Sequence, residues 1–141
     1  MTGRSASQNT SRSGLVPSRR SADVDYRLAR ERLLNAWADG LMATDLICDA
    51  QPMLRRNAEH CGEKTNIDCP VCNQEKLSNV MYVFGPRLPS HGRCISVSGE
   101  LDRINKRSGE FTGYLIEVCT KCGWNHMIRS TTLGKYSSEL L

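Results

Sequence analysis

The chain has 141 residues, 39% of them hydrophobic and 24% charged, with 19 Lys and Arg against 15 Asp and Glu and a formal net charge of +4. Arg4, Arg12, Arg19 and Arg20 supply the whole excess, because residues 1–20 hold no acid and residues 21–141 carry equal numbers of basic and acidic side chains. The body is therefore not basic and the whole-chain charge does not support a broad phosphate-binding face on it, while two Phe and two Trp argue against a large, purely apolar core.

Residues 1–20 are Ser, Arg, Gly, Asn and Thr with almost nothing to bury, a disordered composition expected to form a basic, solubilising tail. Contact of that tail with RNA or DNA is the sharper alternative. Helix signals begin at Ser21, an acceptable N-cap followed by Asp23 and Asp25 where the helix dipole favours acids. Tyr26, Ala29, Leu33 and Trp37 then fall at helical spacing, and Gly40 supplies the stop. Thr44 is placed to cap a short segment through Cys48, and Pro52 to open another that runs to about His60. Gly62 ends that segment, and residues 21–64 together read as a helical arm.

After Asp68 the hydrophobic period changes to two. Residues 77–85, 93–99, 111–119 and 124–133 are β-branched or aromatic runs separated by Gly, Pro, Ser and Asn, and are expected to be antiparallel strands. Residues 100–110 carry Arg103, Lys106 and Arg107 and are expected to form a polar loop or short helix. The fold class is α+β: a helical arm (21–64) followed by an antiparallel, zinc-ribbon-like β domain (65–134) and a short C-terminal tail (135–141).

The chemistry sits in the cysteines, seven in all. No stretch approaches the roughly 18 apolar residues of a membrane span, and the N-terminus lacks the apolar region of a secretory signal, so a cytoplasmic protein is expected. Cytosolic thiols are kept reduced, which favours metal ligation over disulfides, and an odd count points the same way. Cys69-Pro-Val-Cys72 and Cys119-Thr-Lys-Cys122 form two CxxC pairs separated by 46 residues. Two intervening residues let one tight turn aim both thiolates at a single ion, and two such turns complete the four-sulfur tetrahedron that Zn²⁺ favours. Asn73 and Gly123, directly after the pairs, are residue types that tolerate positive φ, which the chain needs to leave such a turn. The metal ligands expected are Cys69, Cys72, Cys119 and Cys122. Iron in a rubredoxin-like site, a redox-active CxxC and two local disulfides remain as competing readings.

Of the other cysteines, Cys48 reads as a buried small hydrophobe, Cys94 as a strand residue, and His60-Cys61 with Cys48 as a poorly spaced second site. His126 is expected beside the ribbon rather than on the metal. Glycine-rich phosphate loops, serine nucleophile motifs and paired carboxylates are missing near the zinc cysteines, and a shell of four cysteines is closed, so no enzyme and no small-molecule substrate are expected.

The runs CDAQPMLRRNAEHCG (48–62), CPVC (69–72), YVFG (82–85) and EVCTKCGWNH (117–126) resemble small actinobacterial zinc-ribbon-like proteins grouped as a domain of unknown function. The resemblance spans roughly residues 23–134. It implies a cytoplasmic actinobacterial protein whose four ribbon cysteines bind metal, and it supplies no substrate or partner.

The leading expectation is a non-enzymatic interaction module with a structural zinc, docking on a protein or nucleoprotein assembly. By fold-level analogy that assembly belongs to the transcription or translation machinery. Its contact surfaces would be the loop with Arg103, Lys106 and Arg107, or the second knuckle with Lys121, Trp124, His126 and Arg129, although packing over the zinc site is the better expectation for Trp124. The alternative is a thiol-based redox or zinc-release sensor, with Cys94 or Cys61 as resolving thiol. Four thiolates on one Zn²⁺ take the body from neutral to roughly −2, which further weakens a polyanion-binding role.

Overall fold

The computed structural model describes residues 23–96 and 99–135. The expected tail at 1–20, the cap at Ser21 and residues 136–141 lie outside them. The first element is a two-residue strand, β1 (Val24–Asp25), and helix α1 follows at Arg27–Ala38. The helix thus starts later than its acidic residues imply. Val24 and Asp25 instead pair with Ser130 and Arg129, Tyr26 N–H donates to the Ile128 carbonyl at 2.9 Å, and the Asp25 carboxylate accepts from Arg27 N–H at 2.9 Å. Gly40 ends the helix as expected, at φ +82°, where Leu41 N–H closes back on the Ala36 carbonyl.

Two short helices complete the arm, α2 (Thr44–Ile47) and α3 (Pro52–His60), the latter with its proline in the first turn. Thr44 does not cap α2. It is the first helical residue, and its hydroxyl accepts from Trp37 Nε1–H at 2.9 Å, which ties α2 to α1.

The sheet comprises β1 together with β2 (Glu63–Asp68), β3 (Lys76–Phe84), β4 (Arg93–Ile95), β5 (Phe111–Val118) and β6 (Asn125–Leu133). A short helix, α4 (Leu101–Asn105), resolves the loop-or-helix alternative for the basic segment. All pairings are antiparallel in the order β1-β6-β5-β3-β2, with β4 joining β3 at the end that β2 does not cover. Strand β2 crosses the boundary between 64 and 65 drawn from the sequence. Its residues EKTNID show no apolar alternation, and backbone pairing to β3 holds the strand at an edge. The strand expected at 93–99 ends at Ile95, with Ser96 outside it and residues 97 and 98 not among the described residues, and the last strand starts at Asn125, one residue after Trp124.

Register and alternation divide the sheet into two faces. One face carries Met81, Val83, Phe111 and Leu133, which pack with Ile95 and with Ile104 of α4, and at its other end Leu77, Cys119 and Trp124, which pack with Leu33, Leu34 and Trp37 of α1. The opposite face carries Val80 and Val118 beneath Ala58 and Leu54 of α3. The arm therefore packs on the sheet from both sides, and the CxxC turns emerge where α1 and α2 close over one end.

A candidate four-cysteine metal centre clamped by the helical arm

The two CxxC turns connect β2 to β3 and β5 to β6, neighbouring hairpins on adjacent strands, so both reach the same end of the sheet. In each turn the residue after the second cysteine donates to the carbonyl of the first at 3.0 Å, Asn73 to Cys69 and Gly123 to Cys119. Both adopt the positive φ expected of them, +56° and +93°. Backbone N–H groups of Val71, Cys122 and Trp124 point at the sulfurs of Cys69, Cys119 and Cys122, each at 3.4 Å. Such donors stabilise thiolates held on a cation.

The four predicted ligands, Cys69, Cys72, Cys119 and Cys122, come together with all Sγ atoms within 4.8 Å of one another. Cys69 lies 3.7 Å from Cys122, and Cys72 lies 3.7 Å from Cys119. A tetrahedron with metal–sulfur bonds of about 2.3 Å has edges of about 3.8 Å, so the residues fit a four-coordinate ion. Cys69 and Cys119 are fully buried, and Cys72 and Cys122 half-buried.

The electrostatics favour a cation. Burial pushes the Cys69 and Cys122 thiols up to about 12. Burial acts in the same direction on Cys119, but the N–H groups of Cys122 and Lys121 and the neighbouring sulfurs outweigh it and lower that thiol below its ordinary value. Four thiols in this space cannot all ionise on their own, and a dication among them removes the penalty.

Trp124 is buried against Cys69, Cys119 and Ile47, which removes it from any base-stacking role. Its indole N–H donates to Glu117 Oε2 at 2.7 Å, and the same oxygen accepts from Arg30 Nε at 2.6 Å. His126 stacks on the Trp124 ring at 5.9 Å between centroids, beside the centre rather than in it. Among the contact residues expected from sequence, Lys121, Arg129, Arg103 and Lys106 are exposed, while Arg107 lies over the Phe111 ring.

The second site drawn from Cys48, His60 and Cys61 does not assemble. Cys48, half-buried rather than buried as expected, sits 3.5 Å from the Cys122 sulfur. Cys61 is hydrogen-bonded with Cys94, whose thiol burial pushes up to about 12 with Cys61 adding to the shift. Cys48 is held by the loop after α2. Ala50 N–H donates to the Gly123 carbonyl at 2.9 Å, and Asn125 Nδ2 donates to Asp49 Oδ1 at 3.0 Å.

Residues 16–140 match a family of unknown function, DUF5318. The chain belongs to this family. It is 36% identical over 111 residues to an uncharacterized protein of Mycobacterium bovis and, with the same figures, to two uncharacterized proteins of Mycobacterium tuberculosis, covering 79% of this chain and 81% of each relative. No solved structure matches the chain. The mycobacterial relatives agree with the actinobacterial resemblance of the sequence.

Two features of this DUF5318 chain escape sequence reasoning. One is the Arg30–Glu117–Trp124 contact. The other is a groove of about 930 Å³ on the sheet face beside α3, lined by Tyr82, Phe84, Tyr114, Ile116 and Met127 with Met53 at its edge. The alternate aromatics of the strands were the only signal for it.

Gly123 allows a direct test of the clamp. A Cβ there would lie 2.9 Å from the Cys48 carbonyl oxygen, on a backbone already at positive φ. Gly123→Ala is expected to cost about 1–3 kcal/mol in the urea unfolding of metal-loaded protein. Unchanged stability would show that the arm does not rest on the knuckle.

Proposed function

We propose that the protein is a non-enzymatic, cytoplasmic interaction module in which one structural Zn²⁺ on Cys69, Cys72, Cys119 and Cys122 locks the helical arm onto the sheet. The supporting observation is the four-sulfur group with its 3.7 Å edges and donor N–H groups. Zinc is the commoner occupant of such a thiolate shell, which has no open position for water or substrate. No helix among the described residues is long and apolar enough to cross a membrane, in keeping with this reading.

The groove favours a protein partner. Its floor is aromatic and aliphatic, it carries one acid in Asp49 and one arginine in Arg93, and Glu100 already holds Arg93 at 3.0 Å. An apolar, uncharged stretch of a protein chain fits that surface, and a polyanion does not. Docking on the transcription or translation machinery rests on analogy with other zinc ribbons.

Native protein is expected to carry one zinc per chain by elemental analysis and to lose its tertiary structure on chelation. In pull-downs from the native cell, a partner captured by wild type should be lost with Cys119→Ser and with Tyr114→Glu. Capture that survives both substitutions would sink the module reading. The second reading, a thiol-based or zinc-release sensor, is favoured by one observation, the fifth thiol of Cys48 beside Cys122.

A further inference from the structure

Cys48 differs from the four ligands in two respects and still reaches one of them. It lies on the arm rather than on either knuckle, it stands outside the four-sulfur group, and its sulfur is nevertheless 3.5 Å from that of Cys122, with the Cys48 thiol as hydrogen-bond donor. The contact is built, not incidental. The hydrogen bonds from Ala50 to Gly123 and from Asn125 to Asp49 fix the backbone on both sides, leaving side-chain rotation to vary the sulfur separation. Exposure also separates the ligands, because Cys69 and Cys119 are buried while Cys72 and Cys122 are half-buried, and of these two Cys122 is the one beside Cys48.

We propose that Cys48 is the resolving thiol of the metal centre and that Cys48 and Cys122 form a reversible disulfide when a hydroperoxide oxidises the site. The inference rests on zinc occupancy of the four cysteines. The metal-bound Cys122 sulfur attacks one oxygen of hydrogen peroxide, the O–O bond breaks, and the products are a Cys122 sulfenic acid and hydroxide. The Cys48 sulfur then displaces the sulfenic oxygen, which leaves as water with the thiol proton. Peroxide is reduced by two electrons, and the two thiols are oxidised to one S–S bond. The sulfurs must close from 3.5 Å to about 2.05 Å. Cys48 is suited to this step because its sulfur carries no metal bond, whereas Cys69, Cys72 and Cys119 hold the ion. With one of four thiolates removed the centre loosens its zinc, and the disulfide keeps the arm attached to the second knuckle.

The test uses full-length, zinc-loaded protein treated with hydrogen peroxide in several-fold molar excess, enough to carry an unresolved sulfenic acid on to sulfinic acid, with zinc release followed by a chromogenic chelator and disulfides mapped by peptide mass spectrometry. Wild type is expected to release zinc, to give a Cys48–Cys122 cross-linked peptide lighter by two hydrogens, and to rebind zinc after dithiothreitol. Cys48→Ala is expected to load zinc equally, to accumulate sulfinic acid at Cys122, and to lose the reductant-dependent recovery. A Cys119–Cys122 disulfide in place of the Cys48 linkage in wild type, or equal recovery in Cys48→Ala, overturns the proposal. The linkage is read in wild type, so the outcome does not depend on how well the variant folds. Protein that holds no zinc before oxidation overturns the zinc reading itself, whereas zinc present with the linkage absent overturns this inference alone.

Discussion

Cys119→Ser is expected to remove both the metal and the fold at the arm end of the sheet. Cys119 is fully buried, receives an N–H from Cys122 at 3.4 Å, and sits among Ile47, Leu77 and Trp124. Serine keeps the volume nearly constant but is a poor zinc ligand, so the change tests ligation rather than packing. Structural zinc contributes about 10–16 kcal/mol of apparent binding free energy in small domains. Total stability is commonly only about 5–15 kcal/mol. Losing even part of the zinc contribution should therefore unfold the region, seen as loss of near-UV dichroism from Trp124 and of zinc in the purified protein. Cys61→Ser and Cys94→Ser serve as controls, since those two thiols share a hydrogen bond outside the four-sulfur group, and both variants should keep one zinc per chain. Full zinc content in Cys119→Ser would remove that residue from the ligand set.

The four-cysteine cluster was legible because its geometry is local. A CxxC turn is specified by four or five consecutive residues, so the grouping of the four cysteines, the positive φ of Asn73 and Gly123 and the bordering strands could all be read along the chain. The α+β class was legible for the same reason, as periodicity switches from helical to alternating. What escaped depends on partners distant in sequence. Strand β2 has no apolar alternation because one edge pairing to β3 is all that defines it. The start of α1 moved because Tyr26 and its neighbours found the β6 backbone more than 100 residues away. Cys48 looked like a core residue among Leu46 and Ile47, and only the docking of the 48–50 loop on Gly123 and Asn125 brings it to Cys122. The same holds for Arg30 and Glu117, 87 positions apart, each unremarkable in its own amphipathic segment.

That pair carries the second large effect. The Glu117 side chain is 9% exposed and the Arg30 side chain 16%, and one carboxylate oxygen accepts from both Arg30 and Trp124. A buried carboxylate is tolerated only when its charge and lone pairs are matched, and removing one partner of a buried pair commonly costs about 3–5 kcal/mol. Arg30→Leu leaves Glu117 charged and short of a donor, so it should destabilise by about 3–5 kcal/mol in urea unfolding of zinc-loaded protein. Glu117→Gln should cost less, about 1–3 kcal/mol, because the amide oxygen still accepts from the Trp124 indole and Arg30 keeps Glu31 at 2.5 Å. The double variant decides the mechanism. With Gln at 117 no stranded charge remains, so Arg30→Leu/Glu117→Gln should be more stable than Arg30→Leu alone, a coupling that simple loss of α1 packing does not produce. Additive costs would instead mean that Arg30 acts through the apolar stem that it lays on the sheet, and that the ion pair is not what fastens α1 over the metal centre.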